Sequence, residues 1–459
     1  MKTSDSHRSD VMGRDSIRRL LVRFSGPAIV SMMVAASYNV VDSIFVGRLG
    51  PEALAALMVA FPLMMLFMAI ATATGTGAAS LISRCLGAGD REAASRAAAV
   101  TLTLTVLLGV IMTAICLPNL EAIMRLFGAT GTILPMAKGY MSILVNFAVI
   151  NLFAFVVSSI IRAEGNPILA SAAMIASALI NIALDPVLIF GLGPIPAMGV
   201  AGAATATVIG RSVGAVIFLV YFITKRSSLH FRPGYFRLKL RIILEIYRVG
   251  LASLVRMAAG SAVMVIGNRV AISFGVIPLA IIGVLLRSAS FAFMPCVGLG
   301  QGVLPLVGYN FGAKQLERVG EVVIKSSLAG LIWGIACLTA AMLFPTQIIS
   351  LFNTDPQFVA EGTRALTIFA IAFFTVGIQI PLSFFFQGIG RGLASLVLAS
   401  SRQIIFLLPC LLILPWLFGL TGLWVAFPAA NVLSALLTLI WTIVEFRKLH
   451  IPIRLRYHR

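Results

Sequence analysis

Of the sixteen acidic residues in this 459-residue chain, only Asp42 and Asp185 fall well inside apolar stretches. Glu245 sits at the polar start of a third stretch, and the rest lie in ends or loops. A carboxylate near the middle of a bilayer-spanning helix costs about 2.5–3.5 kcal/mol on insertion scales, so a chain that carries one usually turns it onto a cavity and uses it. Helical spacing supplies each Asp with neighbours. Ser31, Ala35, Tyr38, Asn39 and Asp42 follow steps of three or four, and Ser177, Asn181 and Asp185 do the same. Each Asp therefore shares a face with an Asn. Two carboxylates with amide, hydroxyl and backbone oxygens can hold a proton or a desolvated Na+, because hard cations prefer oxygen ligands. The alternative is that each Asp caps a break in its own helix, with Pro186 directly after Asp185 as the cause.

The basic residues within apolar runs are Arg211, Arg256, Arg269, Arg287 and Arg402. Arg211 and Arg269 can snorkel to a polar boundary. Arg256, Arg287 and Arg402 lie deeper and either line a cavity in the C-terminal half or hydrogen-bond to backbone carbonyls. The four histidines lie in polar ends or the central loop, and the five cysteines are scattered without a C-x-x-C pair. No metal cluster or His-based centre can be assembled in the membrane from this set, so the sequence does not read as an enzyme and implies no cofactor. The 18 Met and 30 Phe, concentrated in "PLMMLFMAI", suit an adaptable apolar binding surface, although lipid-facing or helix-packing roles are the commoner explanation.

Hydrophobic residues make up 59% of the chain and charged residues 11%, with a mean hydropathy of +1.03. This is the composition of an all-α polytopic membrane protein. The net charge of +19 is spread in short clusters between apolar runs, a loop pattern that argues against nucleic-acid binding. Twelve apolar runs reach spanning length, near residues 22–46, 53–81, 97–118, 138–161, 168–192, 198–224, 243–272, 276–306, 322–345, 365–388, 394–418 and 420–444. Basic residues concentrate at both ends, after the second span and in the central loop. The positive-inside rule thus predicts a plasma-membrane protein with both termini in the cytoplasm. The polar N-terminus has no secretory signal character. The halves match at a constant shift of 225: "ATGTG" around Gly75 and Gly77 lies opposite "GLGQG" around Gly300 and Gly302, Gly87-Ala88 opposite Gly312-Ala313, and Gly165 opposite Gly390. Six spans per half make these parallel repeats, an architecture typical of secondary transporters. The predicted organisation is a six-helix lobe over 1–224, a cytoplasmic linker over 225–241 and a second six-helix lobe over 242–459 around a central cavity. Asp42 and Asp185 have no acidic counterparts at that shift, so ion chemistry is predicted in the N-terminal half alone.

"YNVVDSIFVGRLG", "ASLISRCLGAGDREAASRA", "IIRAEGNP" and "NIALDP", in that order, resemble the multidrug and toxic compound extrusion (MATE) family over nearly the whole chain. The resemblance implies export of cationic or amphipathic compounds driven by inward flow of H+ or Na+. Carried over by position, the family's N-lobe ion site falls on Asp42, Asn181, Asp185 and Thr205, which are also the residues that would hold Na+. Tyr38 matches a polar aromatic beside the first acid, and Pro27 matches a proline at which some members bend the first helix. Tyr38, Asn39, Ser177 and Arg287 are the expected substrate-cavity residues. Branches that couple through acids in the seventh and tenth spans find none here. The rival reading is a lipid-linked saccharide flippase of the same superfamily, favoured by the arginines and opposed by twelve spans, since typical cell-wall precursor flippases have fourteen. The expected partners are the bilayer and small amphipathic or cationic molecules, with no obligatory protein partner.

Overall fold

The computed structural model describes residues 6–452, with the side chains of a few further residues, Asn39 among them, undescribed. The basic ends counted above, from Lys2 to Arg459, therefore lie partly outside the described residues. A short helix α1 (Ser6–Arg14) precedes α2 (Ile17–Gly47), α3 (Pro51–Gly87), α4 (Arg91–Cys116), α5 (Leu120–Leu126), α6 (Ile133–Asn146), α7 (Ala148–Ala163), α8 (Pro167–Phe190) and α9 (Val200–Ile223). After the central loop come α10 (Leu240–Ser273), α11 (Val276–Gly312), α12 (Leu316–Leu343), α13 (Pro345–Ser350), α14 (Pro356–Ala370), α15 (Phe373–Gly388), α16 (Gly392–Ser400) and α17 (Leu408–Lys448). A π-helical turn, Ser401–Leu407, joins the last two.

These elements make twelve crossings among the described residues. Eight single helices are long and apolar enough to span. α6 with α7 and α14 with α15 are broken crossings, bent by 56° and 42°. The apolar stretch Gly392–Lys448 has 57 residues, about 85 Å of helix against a hydrocarbon core of about 30 Å. It breaks at Gly419 (φ 58, ψ −141), and Gly422 folds back against the Leu414 carbonyl, so it crosses twice.

The internal repeat extends to the backbone. α3 and α11 each have 37 residues, with bounds offset by 225. Gly50 (φ 120) pairs with Gly275 (φ 124), Gly165 (φ 101) with Gly390 (φ 78), and Lys225 (φ 52) with His450 (φ 53) at the same offset. Local chemistry sets helix starts: in "EGNP", Gly165 turns the chain, Asn166 Oδ1 accepts from the Leu169 N–H at 3.3 Å, and Pro167 opens α8.

The chain forms two compact units. One comprises α1 with Val30–Gly250; the other comprises Asp15–Ile29 with Leu251 onward. Two helices are thus shared: α2 begins in the second unit, and α10 begins in the first. The glycine motifs explain how each is held. A Cβ on Gly77 would strike the Ile246 carbonyl of α10, and one on Gly302 would strike Ser25 of α2. Small residues permit this backbone-to-backbone approach, the usual device of helix packing in lipid. Thr74 hydrogen-bonds Tyr247 at 3.0 Å and Arg84 pairs with Glu245 at 3.1 Å. In the second unit, Ser25 Oγ donates to the Leu299 carbonyl at 3.2 Å, and Arg318 donates to the Asp15 carbonyl at 2.7 Å.

Candidate functional site

α2 carries Asp42 and α8 carries Asn181 and Asp185, all buried within the first unit. α9 packs against α8 because Gly210 has no side chain: a Cβ there would sit 2.5 Å from the Ser177 carbonyl and 3.3 Å from Asn181 Cβ. That approach brings α9 to the polar stripe. Asn181 Nδ2 donates to Asp185 Oδ1 at 3.3 Å and to Thr207 Oγ1 at 3.4 Å. The amide is thereby oriented with its oxygen free.

Three buried oxygens then remain without a hydrogen-bond partner: Asp42 Oδ1, Asn181 Oδ1 and Asp185 Oδ2. A buried acceptor left bare costs about 1–3 kcal/mol, more when charged. Asp42 and Asp185 also lie within electrostatic reach of each other, and neither makes an ion pair among the described residues. Pro186 adds a further acceptor, because its missing N–H leaves the Ile182 carbonyl without its helical donor. The donor set is all oxygen, and no trio of His, Cys, Asp or Glu is grouped for a transition metal among the described residues. The arrangement fits a proton or a small hard cation.

The capping alternative for Asp185 does not hold. α8 runs unbroken through Pro186 to Phe190, and Asp185 Oδ1 accepts from a side chain, Asn181. Thr205 and Thr207 separate on α9. The Thr205 hydroxyl donates to the Ala201 carbonyl of its own helix at 2.9 Å, while Thr207 is the one that meets Asn181. Sequence reasoning missed Thr207. The available signal was the two-residue spacing in "TAT", which puts the two hydroxyls on different faces. It also missed Tyr140 of α6, buried and within electrostatic reach of Asp42, Asp185, Tyr38 and Arg211.

The MatE family model matches residues 27–187 and, again offset by 225, residues 252–412. The chain belongs to the MATE family. Among curated relatives, the multidrug export protein MepA of Staphylococcus haemolyticus is 28% identical over 408 residues, 89% of each chain. A solved MATE structure in a straight conformation superposes with a TM-score of 0.91 at 29% identity, covering 97% of this chain and 99% of that one. Another, in a bent conformation, gives 0.90 at 29%, covering 97% and 98%.

In this MATE transporter the remaining predicted residues fall in both units. Tyr38 and Ser177 are half-buried in the first unit. Pro27 lies inside α2, two residues before the helix passes from the second unit to the first. Arg287, on α11 of the second unit, is exposed within that unit. The backbone-carbonyl alternative for the deep arginines is not what the structure shows: neither Arg256 nor Arg402 hydrogen-bonds a carbonyl among the described residues, and Arg402 stacks on the Phe293 ring at 5.6 Å.

Proposed function

We propose that the protein is a secondary multidrug exporter that expels cationic or amphipathic compounds in exchange for H+ or Na+ by alternating access. The observation that carries this is the trio of unpartnered buried oxygens on Asp42, Asn181 and Asp185. It creates a demand for positive charge that an entering ion satisfies, and its location in one unit makes coupling one-sided. The multidrug export function named for the MepA relative supports export of drugs as the activity. Coupling requires that ion and substrate stabilise different conformations, since a ligand shifts an equilibrium only by its differential affinity. The cytoplasmic orientation of both ends rests on the Lys/Arg distribution, and the proposed partners are the bilayer and small molecules alone.

The test is efflux of a fluorescent organic cation from proteoliposomes, with a proton gradient and a sodium gradient imposed separately. Export should follow one of them. Asp42→Asn should insert and fold, because the amide is isosteric and cheaper to bury, and should lose gradient-driven export at least tenfold. Retained export with an unchanged ion requirement would remove Asp42 from the mechanism.

A further inference from the structure

The second unit carries the opposite charge on the equivalent helices. Arg256 lies on α10 and Arg402 at the head of the π-helical turn Ser401–Leu407, and the two elements approach each other: a Cβ on Gly260, one turn after Arg256, would lie 3.6 Å from Nε2 of Gln403, the neighbour of Arg402. No Asp or Glu occurs between Glu245 and Glu317, nor between Glu361 and Glu445, and Glu245, eleven residues before Arg256 at the start of α10, is already paired with Arg84. Neither makes an ion pair or a hydrogen bond among the described residues. Two like charges in apolar crossings, half-buried and with neither an ion pair nor a hydrogen bond, are costly, and such groups within a membrane are kept for a ligand or an ion path.

The surroundings fix one of them in place. The Arg402 guanidinium lies 5.6 Å from the centre of the Phe293 ring on α11, a cation–π contact that anchors it. Behind it, Ser401 Oγ is 2.7 Å from Ser434 Oγ, which in turn accepts from Gln379 Nε2. This buried network pins the π-helical turn, a feature frequent at functional sites. A planar guanidinium held this way presents a two-pronged donor suited to a carboxylate or phosphodiester.

We infer that Arg256 and Arg402, with Phe293, form an oxyanion-binding subsite that takes the carboxylate or phosphodiester group of an amphipathic molecule. This deepens the export reading, on which its role in transport rests, by adding an anionic group to the substrate chemistry. The test is equilibrium binding without any gradient, so its failure leaves the efflux result untouched. The full chain in phosphatidylcholine nanodiscs is titrated with 11-(dansylamino)undecanoic acid and with its primary amide. The acid should bind at least tenfold tighter. Arg256→Gln and Arg402→Gln should each abolish that preference while leaving the amide affinity unchanged, and Arg402→Lys should retain part of it. Equal binding of acid and amide by the unmodified protein, or equal weakening of both probes in the variants, overturns the proposal. Thermal melting checks folding; if a glutamine variant is unfolded, the acid–amide comparison and the lysine variant decide. Nanodiscs of phosphatidylglycerol distinguish the source of the oxyanion. A fivefold loss of acid affinity there, absent in Arg402→Gln, identifies the lipid headgroup as a competitor and occupant. Unchanged affinity assigns the subsite to soluble amphipathic anions.

Discussion

Asp42 and Asp185 are both buried in the first unit and within electrostatic reach of each other, so whatever neutralises one changes the field at the other. They should therefore act as a unit. The double variant Asp42→Asn/Asp185→Asn should cost little more efflux than either single change, whereas additive losses from two partly active singles would show separate sites. The same reasoning separates the threonines. Thr207→Ala removes an acceptor from Asn181 and frees that amide to turn, while the Thr205 hydroxyl hydrogen-bonds its own helix. With a net hydrogen bond contributing about 1 kcal/mol, Thr207→Ala should raise the half-saturating ion concentration for efflux about fivefold. Thr205→Ala should leave it near normal, and equal effects from the two would refute the geometry.

At the scale of single helices, α2 carries a proline inside its length. Pro27 removes a backbone donor and leaves the Arg23 carbonyl without its helical partner, fifteen residues or about 22 Å from Asp42. The helix is continuous here, and a proline is where bending costs least. If transport bends α2 at this point, Pro27→Ala should favour the straight form and slow turnover severalfold while substrate binding without a gradient is less affected. Normal export by that variant would make Pro27 an ordinary feature of the helix entry. Hydropathy located the apolar core of each crossing, including 138–161 and 365–388, yet it could not show that both are bent. Phe147, at the first break, is itself apolar and no Pro or Gly marks it. The acids were legible because a charge in hydrocarbon stands out at once. Thr207 was not, because a resemblance carried over by position does not determine which of two neighbouring hydroxyls faces the next helix.

Across the whole molecule, the loop that joins the repeats is fastened to the first unit. Glu164, in the turn before α8, accepts from Ser227 and Ser228, and the His230 N–H donates to Ser95. Burial pushes the Glu164 carboxyl up to about 7, against the hydrogen bonds that lower it, and its Oε1 has no partner. An acid whose folded pKa exceeds its unfolded value binds more protons when folded. Its contribution is therefore fully present below about pH 4.5 and is lost as pH rises through about 7. Glu164→Gln should flatten this dependence and raise the melting temperature at pH 8 relative to the unmodified protein, with little difference at pH 5. Melting curves of purified protein at the two pH values check it; parallel pH profiles would show that the carboxyl is not the source. The repeat itself was legible from matches centred on glycines. The passage of α2 and α10 from one unit to the other was not, because apolar periodicity reports that a helix is buried and not which partner buries it.

That sharing of helices bears on synthesis. Ser25 finds its acceptor, the Leu299 carbonyl, 274 positions further along the chain. At about 5–20 residues per second, the opening turns of α2 wait roughly 15–55 s after leaving the ribosome before their partner exists. For most of that interval, until Ile246 is made, the first unit also lacks the part of α10 that seats on Gly77. A fragment ending in the central loop would thus lack a native wall, and two fragments divided there would need each other's presence to mature.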